Sequence, residues 1–361
     1  MMQDSAFARW LSPLMAFCFT FIIIAALASA VGIQIDRQLD FWLLWLVTMV
    51  ILALPVCYME IALAKRAKTT ALNALSSLTR DADASPKWRI VGWLAVVFIP
   101  FLAGAILSHL GLAASASVGL DLNAQVIFVV LAIIALVLSF VPRQILVILM
   151  MLGVAVSLLS SFAIAPSVHW HWTPIEFKEW GNATVLALVA TGLGMGLYWQ
   201  NSLLQIQNTA QASKTAFPIW IAQFVAVLAF GFYSTQYHLS VLTLAVAGVM
   251  AAALLLQLAR EQLQQRQVPL LIHWAVLLIT LLIWLLPNIQ FEFNILLMLW
   301  GLLICLIYSV FAGWIMKISH LRKSMNFSNE LFYNLWRIAV RIVLPLSIVL
   351  AMLSIIGQLF S

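Results

Sequence analysis

The chain has 361 residues, of which 65% are hydrophobic and only 8% charged, with a net charge of +6. A soluble domain carries about 25% charged residues, so the composition excludes a water-soluble enzyme and reads as an all-α polytopic membrane protein. The apolar runs are continuous rather than alternating, which argues against an outer-membrane barrel.

A crossing helix needs about 20 apolar residues. Eleven such spans are predicted, at 12–32, 41–63, 90–118, 123–141, 144–165, 183–204, 215–235, 238–259, 267–287, 293–316 and 335–359. No soluble stretch is long enough to fold alone, so residues 1–361 form a single transmembrane domain. The first run is long and lacks a small-residue cleavage site, so no cleavable signal peptide is expected. With the N-terminus inside, sixteen of the eighteen Lys and Arg residues fall on the inner side, and only Arg37 and Lys178 fall outside. That bias sets orientation. It predicts a multi-pass protein of a bacterial inner membrane, with a cytoplasmic N-terminus and a periplasmic C-terminus. The positive balance is thereby explained by orientation and anionic headgroups, and nucleic acid is not needed as a partner. Tryptophans and tyrosines at span ends read as interfacial belts.

In chain order, the first span closes on Ala25-Ala26-Leu27-Ala28-Ser29-Ala30-Val31-Gly32. Asp36, Arg37 and Asp40 follow in an outer loop and read as solvated. The second span holds Glu60, the single acidic residue well inside a span. A carboxylate in hydrocarbon is costly and faces the bundle interior. Its role is either structural, accepting N–H groups freed by a helix break, or proton-coupling. The stretch from Ala64 to Trp88 is the longest polar loop. The outer loop from Pro166 to Gly181 holds His169 and His171, but two histidines fall short of a closed zinc site. The cysteines Cys18, Cys57 and Cys305 all lie in apolar spans. No metal, cofactor or enzyme active site is expected.

The sixth span contains Thr191-Gly192-Leu193-Gly194-Met195-Gly196. Each glycine weakens a helix interior by about 0.8–1.0 kcal/mol. Irregular backbone at membrane depth survives only when buried in protein or lining a cavity. The run therefore marks either a broken helix with a ligand site at mid-membrane or close packing through small residues.

Several segments resemble the neurotransmitter:sodium symporter family. They are Ala53-Leu54-Pro55 through Glu60 to Lys65-Arg66, then Ile90-Val91-Gly92-Trp93, and Gly192-Leu193-Gly194-Met195-Gly196. The run from Ala25 to Gly32 and, near the C-terminus, Ala312-Gly313-Trp314, Trp336-Arg337 and Leu344-Pro345 complete the collinear set. The resemblance implies a five-plus-five inverted repeat of the leucine-transporter type. Residues 12–165 would form one repeat and 183–316 the other, with 335–359 a peripheral eleventh helix. Helices one and six would be broken at a central site lined by Ala28, Ser29, Ala30, Gly32, Val189, Thr191, Gly192, Gly194, Met195 and Gly196. Glu60 would bond to the unwound backbone of helix six.

The departures bear on ions. Ile33-Gln34-Ile35-Asp36-Arg37 stands where the family has its asparagine and gate arginine, which implies either that most of the outer half of helix one is missing or, in a register that gives up the Gly32 match, that its length is kept. Leu188-Val189-Ala190 replaces aromatic and hydroxyl residues, Gly248-Val249-Met250-Ala251-Ala252 replaces the sodium-binding hydroxyl pair, and residues 90–118 hold no tyrosine. Carbonyls near Ala28 and Val31 remain as ligands. The expected function is a secondary-transporter-like protein with degenerate sodium sites, moving a small organic solute. The alternative is a non-transporting scaffold that binds a lipid, ligand or membrane-protein partner for envelope function.

Overall fold

The computed structural model describes the chain except for residues 1–3, 29, 32, 34–38, 119–122, 162–170, 209–211, 235–238, 328 and 361. Helix α1 (Asp4–Leu27) stops short of the expected end of its span. The N–H groups of Ala30 and Val31 both donate to Leu27 O at 2.8 Å, and that of Ile33 donates to Ala28 O at 3.1 Å. The next helix begins at Leu39. The expected loss of the outer half of helix one turns on residues outside the described set, as do Asp36, Arg37 and His169.

Helices α2 (Leu39–Thr48) and α3 (Leu54–Ala67) form one rod through a wide turn at Met49–Ala53. The cause lies two residues on. Pro55 has no N–H and its ring crowds the preceding turn, so the ladder widens there. The same device recurs near the C-terminus. Helices α15 (Glu330–Ile338) and α16 (Leu344–Gly357) join through a wide turn at Ala339–Val343, again just before a proline, Pro345.

Between these lie α4 (Ala71–Asp81), α5 (Ile90–Val118), α6 (Ala124–Leu138), α7 (Arg143–Ser161), α8 (Phe177–Leu188), α9 (Leu197–Asn208), α10 (Ser213–Leu228), α11 (Val241–Gln265), α12 (Leu270–Leu282), α13 (Gln290–Val310) and α14 (Ile318–Met325). Helix α4 is a correction, because it folds the supposed polar loop into an amphipathic helix that buries Ala71, Leu72, Leu75 and Leu78. Among the described residues, eight helices are long and apolar enough to cross a membrane, and Ala124–Leu138 and Leu270–Leu285 are apolar but shorter. Phe177–Asn208, the sixth span, is cut in two. The protein is a multi-pass, almost wholly helical membrane protein.

Small residues bring the rods together. Helix α11 packs on α5 and α7. A side chain on Gly153 of α7 would meet the Ala247 Cβ at 2.9 Å, and Gly248 leaves no room beside Leu110 of α5. The stretch Gly248–Ala252, where the family places hydroxyls, is thus used for close apolar packing. The α6–α7 corner is tied to α11. Gln257 donates to Val141 O at 3.1 Å, Arg260 donates to Ser139 O at 3.0 Å, and the Arg260 guanidinium lies 4.0 Å over the Phe140 ring. Glu261 accepts from both Arg143 and Gln200, linking that corner to α9. At the exposed Asp83, the Lys317 ammonium 2.8 Å away holds the carboxyl below the usual carboxylate range.

Two further expectations are corrected. Asp40 is buried, not solvated: its carboxylate accepts from the Thr173 N–H at 3.2 Å and from the Thr173 hydroxyl at 3.2 Å. Trp10, Trp172 and Trp314 are exposed as a belt requires, but Trp42, Trp45, Trp199, Trp284 and Trp336 are buried. Several indoles serve as interhelical donors to backbone carbonyls. Trp220 donates to Met49 O at 2.8 Å, Trp336 to Pro55 O at 3.1 Å, and Trp314 to Arg341 O at 2.9 Å. All three acceptors lie at or beside the two proline-linked wide turns.

Candidate functional site

The sixth span breaks where its glycines stand. Helix α8 ends at Leu188, residues 189–196 form successive turns, and α9 starts at Leu197. Gly192, Gly194 and Gly196 have φ of 69°, 77° and 75°. A residue with a Cβ is disfavoured there by about 1–2 kcal/mol. Packing forbids it as well: an added Cβ would meet Leu197 Cδ1, Cys305 Sγ or Ala71 Cβ at 2.8 Å. The helix is broken at the glycine run, and the same glycines also allow close packing.

A break in a bilayer strands polar backbone that water cannot reach, and here the protein supplies the partners itself. At the C-terminal end of α8, the Thr191 hydroxyl donates to Ala187 O at 2.7 Å and to Leu188 O at 3.1 Å. Within the break, Thr191 O accepts from the Tyr198 hydroxyl at 2.6 Å and from Gln223 Nε2 at 3.2 Å. Leu193 O accepts from Cys305 Sγ at 3.3 Å. At the N-terminal end of α9, Glu60 of α3 takes the Gly194 N–H at 2.9 Å on one oxygen and the Trp199 N–H at 3.2 Å on the other. A carboxylate at a helix N-terminus complements the positive end of the dipole.

These contacts have consequences for chemistry. A carbonyl oxygen has two lone pairs, and both donors on Thr191 O are protein groups, so this oxygen has no lone pair left for a cation. Ala28 O accepts from the Ile33 N–H at 3.1 Å and keeps a second lone pair. Glu60 is 3% exposed, and Met59, Leu63, Gly194, Trp199 and Tyr308 close around it without room for a water molecule. Among the described residues, no group of three or more His, Cys, Asp or Glu side chains is placed to hold a metal ion.

Of the residues expected to line the site, Val189, Thr191, Gly192, Gly194, Met195 and Gly196 are all buried in the break. Val189 packs on Gly301 of α13. Ala28 and Ala30 lie in the turns after α1, while Ser29 and Gly32 lie outside the described residues. Tyr198, Gln223 and Cys305 were not singled out from sequence. Gln223 carried a signal, being an amide in an otherwise apolar span, and such a group needs a buried partner.

No family model matches the sequence, and no curated protein does. Among solved structures, the chain is similar to the crystal structure of MhsT in complex with L-phenylalanine. The match has a TM-score of 0.59 and 14% identity, over 97% of this chain and 98% of that one. A likeness that spans both chains end to end at this identity establishes the architecture: the chain has the leucine-transporter fold, with a break in its sixth helix.

Proposed function

We propose that this protein is a divergent member of the neurotransmitter:sodium symporter group in a bacterial inner membrane, moving a small uncharged organic solute without sodium. The N-terminus lies in the cytoplasm and the C-terminus in the periplasm. Residues 12–165 and 183–316 are the two inverted repeats, and 335–359 is the added peripheral helix. The solute occupies the space between the turns after α1 and the break in helix six. It is lined by Ala28, Ser29, Ala30, Gly32, Val189, Thr191, Gly192, Gly194, Met195 and Gly196.

One observation carries this reading. The break is retained with three left-handed glycines and a buried acid, a costly arrangement that a passive scaffold has no use for, yet its poles are neutralised from within. Thr191 O is taken by Tyr198 and Gln223, and the N-terminal end of α9 is taken by Glu60. A desolvated cation or anion needs polar partners, and the Thr191 carbonyl and the Gly194 and Trp199 N–H groups are already engaged. The same argument disfavours a zwitterion such as the L-phenylalanine bound by MhsT. Glu60 serves to hold the break rather than to carry protons.

Uptake into proteoliposomes tests the reading. A panel of labelled neutral solutes is offered in sodium or choline medium, with and without an inward proton gradient. Uptake of at least one solute that survives replacement of sodium is expected. Uptake that requires sodium contradicts the proposal. Loss of a proton-driven uptake on Glu60→Gln would restore the proton-coupling role. The second reading, a non-transporting scaffold, is favoured by the dry packing around Glu60, and it gains if every solute fails while a membrane-protein or lipid partner co-purifies.

A further inference from the structure

Away from the helix break, a cavity of about 450 Å³ opens between the end of α5, the start of α6 and the α12–α13 corner. That volume lies in the range of small-molecule sites. Its floor is aromatic and fixed. Trp284 is 3% exposed, its indole N–H donates to Phe101 O at 2.9 Å, and its ring packs on Phe101 and Phe293 with centroids 5.1 and 5.4 Å apart. Phe128 is buried beside it, and Phe291, 64% exposed, forms the rim.

The polar lining is neutral throughout. Ser108, Gln125, Asn288 and Gln290 contribute hydroxyl and amide groups, and no charged side chain is among the described lining residues. Gln125 uses one N–H on Leu285 O at 3.3 Å, which braces α6 against the corner. Among the described lining residues a phosphate or carboxylate finds no cation, and an ammonium no carboxylate. The exposed Phe291 ring, flanked by amides, matches an uncharged ring with apolar C–H faces and hydroxyl edges.

The position relative to the bilayer narrows the choice. Helix α6 has 15 residues, about 22 Å at the α-helical rise, against a hydrocarbon core of about 30 Å. Its lipid-facing stripe of exposed Val126, Val130, Ile133 and Val137 starts at the cavity mouth. A bilayer that thins to match a short helix would bring lipid headgroups toward the cavity. The geometry points to a binding site for an uncharged, hydroxyl-rich ring: the sugar headgroup of a membrane lipid, or a free saccharide of the same chemistry.

The test uses the full chain in phosphatidylcholine nanodiscs, with monoglucosyl diacylglycerol or plain diacylglycerol at equal mole fraction. Lipid retained by the protein is read by native mass spectrometry. Retention of the glucosyl lipid over diacylglycerol by about fivefold or more is expected. Gln290→Met and Phe291→Ala should each reduce it about threefold, the scale of one lost hydrogen bond or contact. Phe291 is exposed, so its replacement leaves the fold intact. Saturable stabilisation by methyl glucoside in detergent, without lipid retention, supports the site with a free saccharide as its ligand. Equal retention of both lipids with no response to methyl glucoside would overturn the proposal, as would retention undiminished in both variants.

Discussion

At the scale of single residues, the fold is held where its backbone is least regular. Glu60 supplies acceptors for two N–H groups that no water reaches. Glu60→Gln keeps one acceptor oxygen but turns an amide NH₂ toward the second N–H, so about one hydrogen bond is lost, on the order of 1–3 kcal/mol. Glu60→Leu leaves both the Gly194 and Trp199 N–H groups buried and unpaired, so it should cost roughly twice as much. Thermal unfolding in detergent should rank wild type above Gln and Gln above Leu; equal midpoints for all three would refute the bracing role. Gly194→Ala meets two separate obstacles, a φ of 77° and the Cys305 Sγ 2.8 Å from the new Cβ. Measured against Cys305→Ala alone, which gives up the thiol bond to Leu193 O, the double variant should be free of the steric loss but keep the backbone part, about 1–2 kcal/mol. Full recovery in the double variant would mean that the left-handed turn is dispensable. Both positions were legible in the sequence, since an acid and a glycine cluster stand out in hydrocarbon. Tyr198 and Cys305 were not, because a tyrosine or cysteine in an apolar span is as often plain core.

At the scale of elements, the wide turns at Met49–Ala53 and Ala339–Val343 each precede a proline, and each is met by an indole from a neighbouring helix. The prolines were legible, but which neighbour meets the widened ladder was not, because that depends on three-dimensional packing. This is why tryptophans read as interfacial belts turned out, at Trp199, Trp220, Trp284 and Trp336, to be interhelical donors. Trp220→Phe keeps most of the ring and removes the N–H on Met49 O, so a loss of about 1 kcal/mol is expected. Trp172→Phe, at an exposed site, should leave the unfolding midpoint unchanged. If the two variants behave alike, the indole bond has no structural weight. The Asp40–Thr173 pair was hidden for a related reason: a charged residue at a span end looks solvated until a distant loop folds over it.

At the scale of the whole molecule, the span pattern and the collinear motifs were enough to anticipate a leucine-transporter fold, because membrane crossing constrains length and polarity more tightly than water does. What they could not convey is how the broken helix is completed. The losses at Leu188–Ala190 and Gly248–Ala252 were visible as missing oxygens. The replacements, a tyrosine and a glutamine on the Thr191 carbonyl and tight apolar packing along α11, follow from geometry alone. The proposal that internal donors stand where a cation would bind is measured most directly by binding linkage. A bound ion stabilises the native state by RT ln(1 + [ion]/Kd). Thermal unfolding of the purified protein should therefore be recorded across a sodium chloride series, with choline chloride at matched ionic strength. Superimposable midpoints in the two salts are expected at every concentration. A saturable rise in midpoint specific to sodium would contradict the proposal.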